Sequence, residues 1–256
     1  MNRYIFSLTS IPSRFNNIEL IIDSLINQSL KPEKIILNLP KKYNIRFNEY
    51  ICNDKINQLK TKYLTNNLII NIIDKDYGPG TKLLGLFHNN IIDLNDENTF
   101  IVLVDDDLIY KPIMLEYFDT YVKNNKNVKV ASFCIALRNG ITIGQGADGF
   151  YIKSNLLNKF YEYFEKIKEF KYILYHDDYY ISYYFYLKNI EIIHLRGKTP
   201  LSPNGENNLV YSKYFMNSNN NSLFSLSGDL NRINLNKQIY NILCKLRKDG
   251  IFNFIY

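Results

Sequence analysis

Three consecutive carboxylates, Asp105, Asp106 and Asp107, follow directly on the apolar run Phe100 to Val104 in the stretch FIVLVDDDLIY. Like charges packed side by side repel, and a hard divalent cation shared with phosphate oxygens offsets that repulsion. The first chemistry these residues suit is a site for Mg2+ or Mn2+ and a diphosphate. Capping the helix that the pattern places over residues 112–124 is the plainer use, although a cap needs one aspartate. A second acidic pair, Asp177 and Asp178, stands beside His176. Close carboxylates raise one another's pKa, which equips one of the two as a general base; capping by Asp177 is the alternative. Thr81 and Lys82 open a helix after Gly78, Pro79 and Gly80, where free amides and the helix dipole can receive an anion, or where a plain turn carries a solvated lysine. The segment GITIGQGADG, residues 140–149, holds Asp148 among glycines that admit close approach of a ligand or simply allow turning. His194, at a strand end, is a candidate metal ligand, and Arg196 and Lys198 just after it are candidate phosphate contacts.

These residues need a scaffold, and the apolar pattern supplies one. Short β-branched runs at residues 4–8, 34–39, 68–73, 100–104, 128–133 and 190–194 read as strands. Between them, helical patterns cover residues 18–26, 50–63, a stretch beginning near Thr81, 112–124, 154–168 and 179–187. Such alternation means an α/β domain whose mostly parallel sheet is joined by right-handed crossovers. Ligands of open α/β sheets bind beyond the carboxyl ends of the strands, where Asp105, Asp106 and Asp107 fall. No linker breaks the first 198 residues. The remainder, 199–256, reads as an Asn-, Ser- and Pro-rich mobile loop or lid followed by an amphipathic helix. That helix sets Leu235, Ile239, Ile242, Leu243 and Leu246 against Lys237, Lys245, Arg247 and Lys248, for packing on the domain or, as a weaker use, attachment to a membrane surface.

Composition removes several function classes. The chain has 256 residues, with 22 Tyr, 16 Phe and no Trp. That is a general bias, so the Tyr179, Tyr180, Tyr183, Tyr184 cluster is not read as a stacking surface. The net charge of +6 is spread along the chain without the basic stripe of a dedicated nucleic-acid binder, and it suits an anionic small-molecule donor. Cys52, Cys134 and Cys244 lack both disulfide and zinc spacing, which fits a reducing compartment. The N-terminus is too short and polar for a secretory segment, and no apolar run reaches the roughly 18 residues of a membrane span. The expectation is a soluble, cytoplasmic protein, in the host cytoplasm if the source is viral.

Taken in order, SLTSIPSRF with SLINQSLKPEKIIL, then DYGPGTKLLG, VDDDLIY, and GADGFYIKS with HDDYYIS resemble glycosyltransferases of the GT-A fold. The resemblance is to small bacterial and viral polysaccharide-type enzymes and covers about residues 3–195. It implies a single Rossmann-like domain, residues 1–198, with a mostly parallel central sheet flanked by helices, a nucleotide-sugar half, 1–110, and an acceptor half, 111–198. It implies a hexosyl- or N-acetylhexosaminyltransferase that uses Mn2+ or Mg2+. The donor would be a nucleoside-diphosphate sugar, UDP-linked before others, and the acceptor a hydroxyl of a glycan or glycoprotein, with inversion favoured. By the same resemblance Asp105 meets the ribose and, with Asp107 and His194, the metal, while Asp178 or Asp177 is the base. Thr9, Ser10, Arg14, Asp76 and Lys82 would hold the nucleotide, joined by Asp106, Asp148, Arg196 and Lys198. NLPKKY stands where many inverting members carry Asp-Asp-Gly, so the resemblance does not carry uracil recognition over to that segment. A sugar-nucleotide nucleotidyltransferase is the rival enzyme, but SLTSIPSRF is poor in the glycine its phosphate loop needs. A non-catalytic nucleotide-sugar or glycan-binding module is the rival outside enzymes.

Overall fold

The structure is a computed structural model that describes residues 2–45, 48–170, 172–195, 211–214 and 232–255. The first four apolar runs form parallel strands: β1 (Arg3–Thr9), β2 (Lys34–Pro40), β3 (Leu68–Ile73) and β4 (Thr99–Leu103). Helices α1 (Ile18–Ile26), α2 (Asn53–Lys62) and α3 (Thr81–Leu84) cross between them. The remaining pieces are β5 (Leu108–Tyr110), α4 (Met114–Asn124), β6 (Val130–Ser132), β7 (Ile135–Arg138), β8 (Ile141–Gly144), β9 (Phe150–Lys153) and α5 (Phe160–Glu165). After these come α6 (Asp177–Leu187), β10 (Ile193–His194), β11 (Tyr211–Tyr214) and α7 (Arg232–Lys248).

The central sheet has seven strands in the order β10-β6-β9-β4-β1-β2-β3. It is mostly parallel, as expected, but β9 runs antiparallel between β4 and β6. Strand β4 is central and has no wet face. Phe100, Val102 and Val104 face one apolar cluster with α1 and α4, and Ile101 and Leu103 face another with α5 and α6. A strand so enclosed has to be a continuous apolar run, and the first charges appear where it ends.

The structure corrects several expectations. The helix from Thr81 lasts four residues before a 3-10 turn, Gly85–Phe87. The helix expected over 154–168 splits into a 3-10 turn, Ser154–Leu157, and α5. The glycine-rich segment is half of a hairpin, β7 against β8, turning at Asn139 and Gly140, both with positive φ (52° and 78°). Within the stretch expected to be loop, β11 pairs antiparallel with β5, just after the aspartates; the rest of that loop, with Arg196 and Lys198, lies outside the described residues. The apolar stripe of α7 is packed away. Leu235, Ile239 and Leu243 join the same core as Tyr183 and Phe252, with Ile242 and Leu246 half-buried against it. Among the described residues no helix is long and apolar enough to cross one.

Candidate active site

The end of β4 is held open rather than coiled straight into a helix. The Asp105 N–H donates to the Tyr110 hydroxyl (2.9 Å), whose own proton reaches the Ala147 carbonyl (3.1 Å). Tyr110 is fully buried, so it fixes the acidic loop against the turn that precedes β9. The three aspartates then go to different partners. Asp106 is anchored at both oxygens, by Ser10 Oγ (2.7 Å) and Arg14 Nη1 (2.8 Å). Arg14 also lies 3.1 Å from Asp107 Oδ2. Lys82 Nζ lies 2.5 Å from Asp105 Oδ1 and 3.1 Å from Asp177 Oδ2, and thereby joins the end of β4 to the first turn of α6. The Gly146 N–H donates to Asp178 Oδ1 at 2.9 Å.

The electrostatics follow from this crowding. Five carboxylates share two described cations. Burial works against the Lys82 charge, yet Asp105, Asp177 and Asp178 outweigh it and hold the ammonium well above its ordinary pKa. Burial, then Asp105 and Asp106, push the Asp107 carboxyl up to about 7. Burial, then Asp177, push Asp178 up to about 8, with Lys82 and the Gly146 N–H pulling the other way. Asp177 is buried and its Oδ2 has no hydrogen bond, although Lys82 is within ion-pair distance. Among the described residues the cluster thus holds more negative charge than counter-charge.

Lys82 is placed by a polar network inside the sheet that the sequence reading passed over. Ser7 Oγ and Asn38 Nδ2 both donate to the Lys82 carbonyl. Asn71 Nδ2 donates to Asn38 Oδ1 (2.8 Å) and to the Gly85 carbonyl (2.9 Å), which ties α3 and the turn after it to β2 and β3. Asn38 and Asn71 are register partners, and each interrupts an otherwise apolar strand; that interruption was the available signal. Gly146 was missed too. A Cβ there would stand 2.9 Å from Lys82 Nζ and 3.3 Å from Asp178 Oδ1.

Other expected residues have different placements. Asp76 spends its two oxygens on the N–H groups of Ile45 (2.9 Å) and Gly78 (2.8 Å), fastening its own loop. Thr9 ends β1, half-buried, and Asp148 is buried in the turn before β9. His194 Nε2 lies 3.2 Å from the Phe133 carbonyl, and among the described residues no group of three His, Cys, Asp or Glu stands ready to hold a metal. Tyr179, Tyr180, Tyr183 and Tyr184 are core residues of α6, a helix buried on nearly every side.

The donor set nevertheless fits a hard cation of the kind that takes one or two carboxylates and completes its shell with water and phosphate. Asp105 Oδ2 and Asp107 Oδ1 have no partner among the described residues, while Asp106 is fully engaged. Asp105 and Asp107 would hold the ion, with Asp106 and Arg14 steadying the loop.

No family model matches the chain, and no curated protein does. Similar solved structures include Staphylococcus aureus TarS residues 1–349 in complex with UDP-GlcNAc, at 14% identity over 62% of this chain and 47% of that one, TM-score 0.42. Mycobacterium tuberculosis glucosyl-3-phosphoglycerate synthase with Mn2+, UDP-glucose and glycerol 3-phosphate is similar at 11% identity over 76% and 70%, TM-score 0.43. Francisella tularensis 2-C-methyl-D-erythritol 4-phosphate cytidylyltransferase is similar at 11% identity over 76% and 90%, TM-score 0.45. The chain spans about half the length of the TarS fragment. Scores at this level leave the fold to be defined by the chain's own strand order.

Proposed function

We propose that the chain is a metal-dependent GT-A glycosyltransferase that moves a sugar from a nucleoside-diphosphate sugar, UDP-linked before others, to an acceptor hydroxyl with inversion. The observation that carries this reading is the excess, among the described residues, of carboxylates over cations where the central parallel strand ends, together with two carboxylate oxygens that have no partner among those residues. A divalent ion bound there would neutralise the charge that builds on the departing diphosphate. The chain's own groups divide the remaining work. Lys82 turns its ammonium from Asp105 and Asp177 to the phosphate oxygens, a charge-assisted contact that strengthens as the leaving group forms. Arg14 keeps Asp106 and Asp107 in place. Asp178, oriented by the Gly146 N–H, takes the proton from the acceptor hydroxyl.

Mn2+ with UDP-glucose, the pair bound in the mycobacterial structure, is the first combination to try. In a donor-consumption assay Asp107→Ala should abolish metal-dependent transfer. Asp178→Asn should cost about 10²–10⁴-fold in transfer, the usual worth of a general base, while donor binding is kept. Full activity of both variants would overturn the assignment.

A further inference from the structure

Asp178 also lines a second cleft, formed with the β7–β8 hairpin, His176 and Asn236 of α7. Its inner volume is about 10 Å3, enough for one water-sized group, and Arg138 belongs to its exposed side. Two features mark it as a ligand site. Asn236 is 5% exposed and its Oδ1 has no hydrogen-bond partner. A buried acceptor left in that state is costly, and a hydroxyl donated by a ligand removes the cost. Arg138 is exposed, its one described hydrogen bond goes to the neighbouring Leu137 carbonyl, and none of the described carboxylates forms an ion pair with it. Its position is nonetheless built: Asn139 Nδ2 donates to the Tyr179 hydroxyl at 3.1 Å, which fastens the hairpin tip to α6. A planar guanidinium at a cleft mouth suits a phosphate or a carboxylate, and the amides of Gln145 and Asn236 suit sugar hydroxyls.

We propose that the mouth of this cleft is the acceptor subsite, that a single acceptor hydroxyl enters it and donates to Asn236 while the ring stays outside, and that Arg138 selects acceptors bearing an anionic group. The role as acceptor subsite rests on the transferase reading; the ligand class rests on the cleft itself. The C-terminal helix then belongs to the reaction as well as to the core.

The test is calorimetric titration of the full chain with glucose, glucose 6-phosphate and glucuronic acid, with UDP and Mn2+ titrated separately into the same samples. The expected result is that the phosphorylated sugar, the uronic acid or both bind roughly tenfold tighter than glucose, the worth of about one charge-assisted contact. Which of the two does so names the anion. Arg138→Glu should erase that preference, and Asn236→Leu should weaken all three sugars alike, with UDP binding unchanged in both variants. Equal affinities, no binding of any sugar, or a preference that survives Arg138→Glu would overturn the proposal. Failure of UDP to bind would instead overturn the transferase reading, and the comparison among the three sugars would still report on the cleft.

Discussion

Asp178 and Asp107 show how much one side chain's behaviour depends on neighbours far away in the chain. Arg14 reaches Asp106 across 92 residues and Lys82 reaches Asp105 across 23, so the charges that temper the acidic loop could not be paired from local sequence. Repulsion among adjacent aspartates was legible in the sequence; its partial relief by two chain cations was not. Asp178 has a direct consequence. Its carboxyl titrates near 8 instead of 3.8, so transfer should rise with pH to a plateau above about 8, and that limb should vanish from the residual activity of Asp178→Asn. Stability should move the opposite way. The folded state holds the Asp178 proton more tightly than the unfolded chain, so its contribution is complete below about pH 4 and is lost as pH rises through 8. Melting curves of wild type and Asp178→Asn across that window would check the sign, with the variant losing the Asp178 share of the dependence and keeping the share of Asp107, which ends near pH 7.

At the scale of elements, α3 is too short to position anything by itself. The Ser7, Asn38 and Asn71 network holds its carbonyls, and Gly85 makes that approach feasible. A Cβ at Gly85 would lie 2.5–2.7 Å from three atoms of the Asn38 side chain, which is fully buried. Gly85→Ala should therefore cost about 1–3 kcal/mol by overpacking and displace Lys82 as well, seen as a lower melting temperature together with weaker UDP binding. An unchanged melting curve would show that the network is not needed. Strands β1 to β4 were readable because burial on both faces demands continuous apolar runs. Strands β5, β7, β8 and β9 are three or four residues each, too short for a period to declare itself. The β7–β8 hairpin did carry a signal, Asn139-Gly140, the pair favoured where two successive residues need positive φ. The glycines of that segment fitted ligand approach and turning equally, and the structure shows a turn.

For the whole molecule, alternation of strand and helix gave the mostly parallel sheet, but one antiparallel strand beside β4 follows from long-range pairing that no local pattern encodes. The same limit applies to α7. Its amphipathic pattern left packing and membrane attachment both open, and the structure packs the stripe on the domain, with Leu235, Ile239 and Leu243 in the core and Ile242 and Leu246 half-buried. Ile239 has no exposed surface, so Ile239→Asp would bury an unpaired charge and should lower the melting temperature sharply, whereas the wild-type chain should not sediment with liposomes. The central claim remains the acidic end of β4 as a cation and diphosphate site, and it is tested most directly by thermal melting with UDP, in Mn2+ and in chelator. At about 100 times Kd, UDP should stabilise the wild-type chain by about 2.7 kcal/mol, a rise of roughly 5–10 °C that needs Mn2+ and disappears in Asp107→Ala. A melting temperature indifferent to UDP, or a shift that is the same in chelator and in Asp107→Ala, would contradict it.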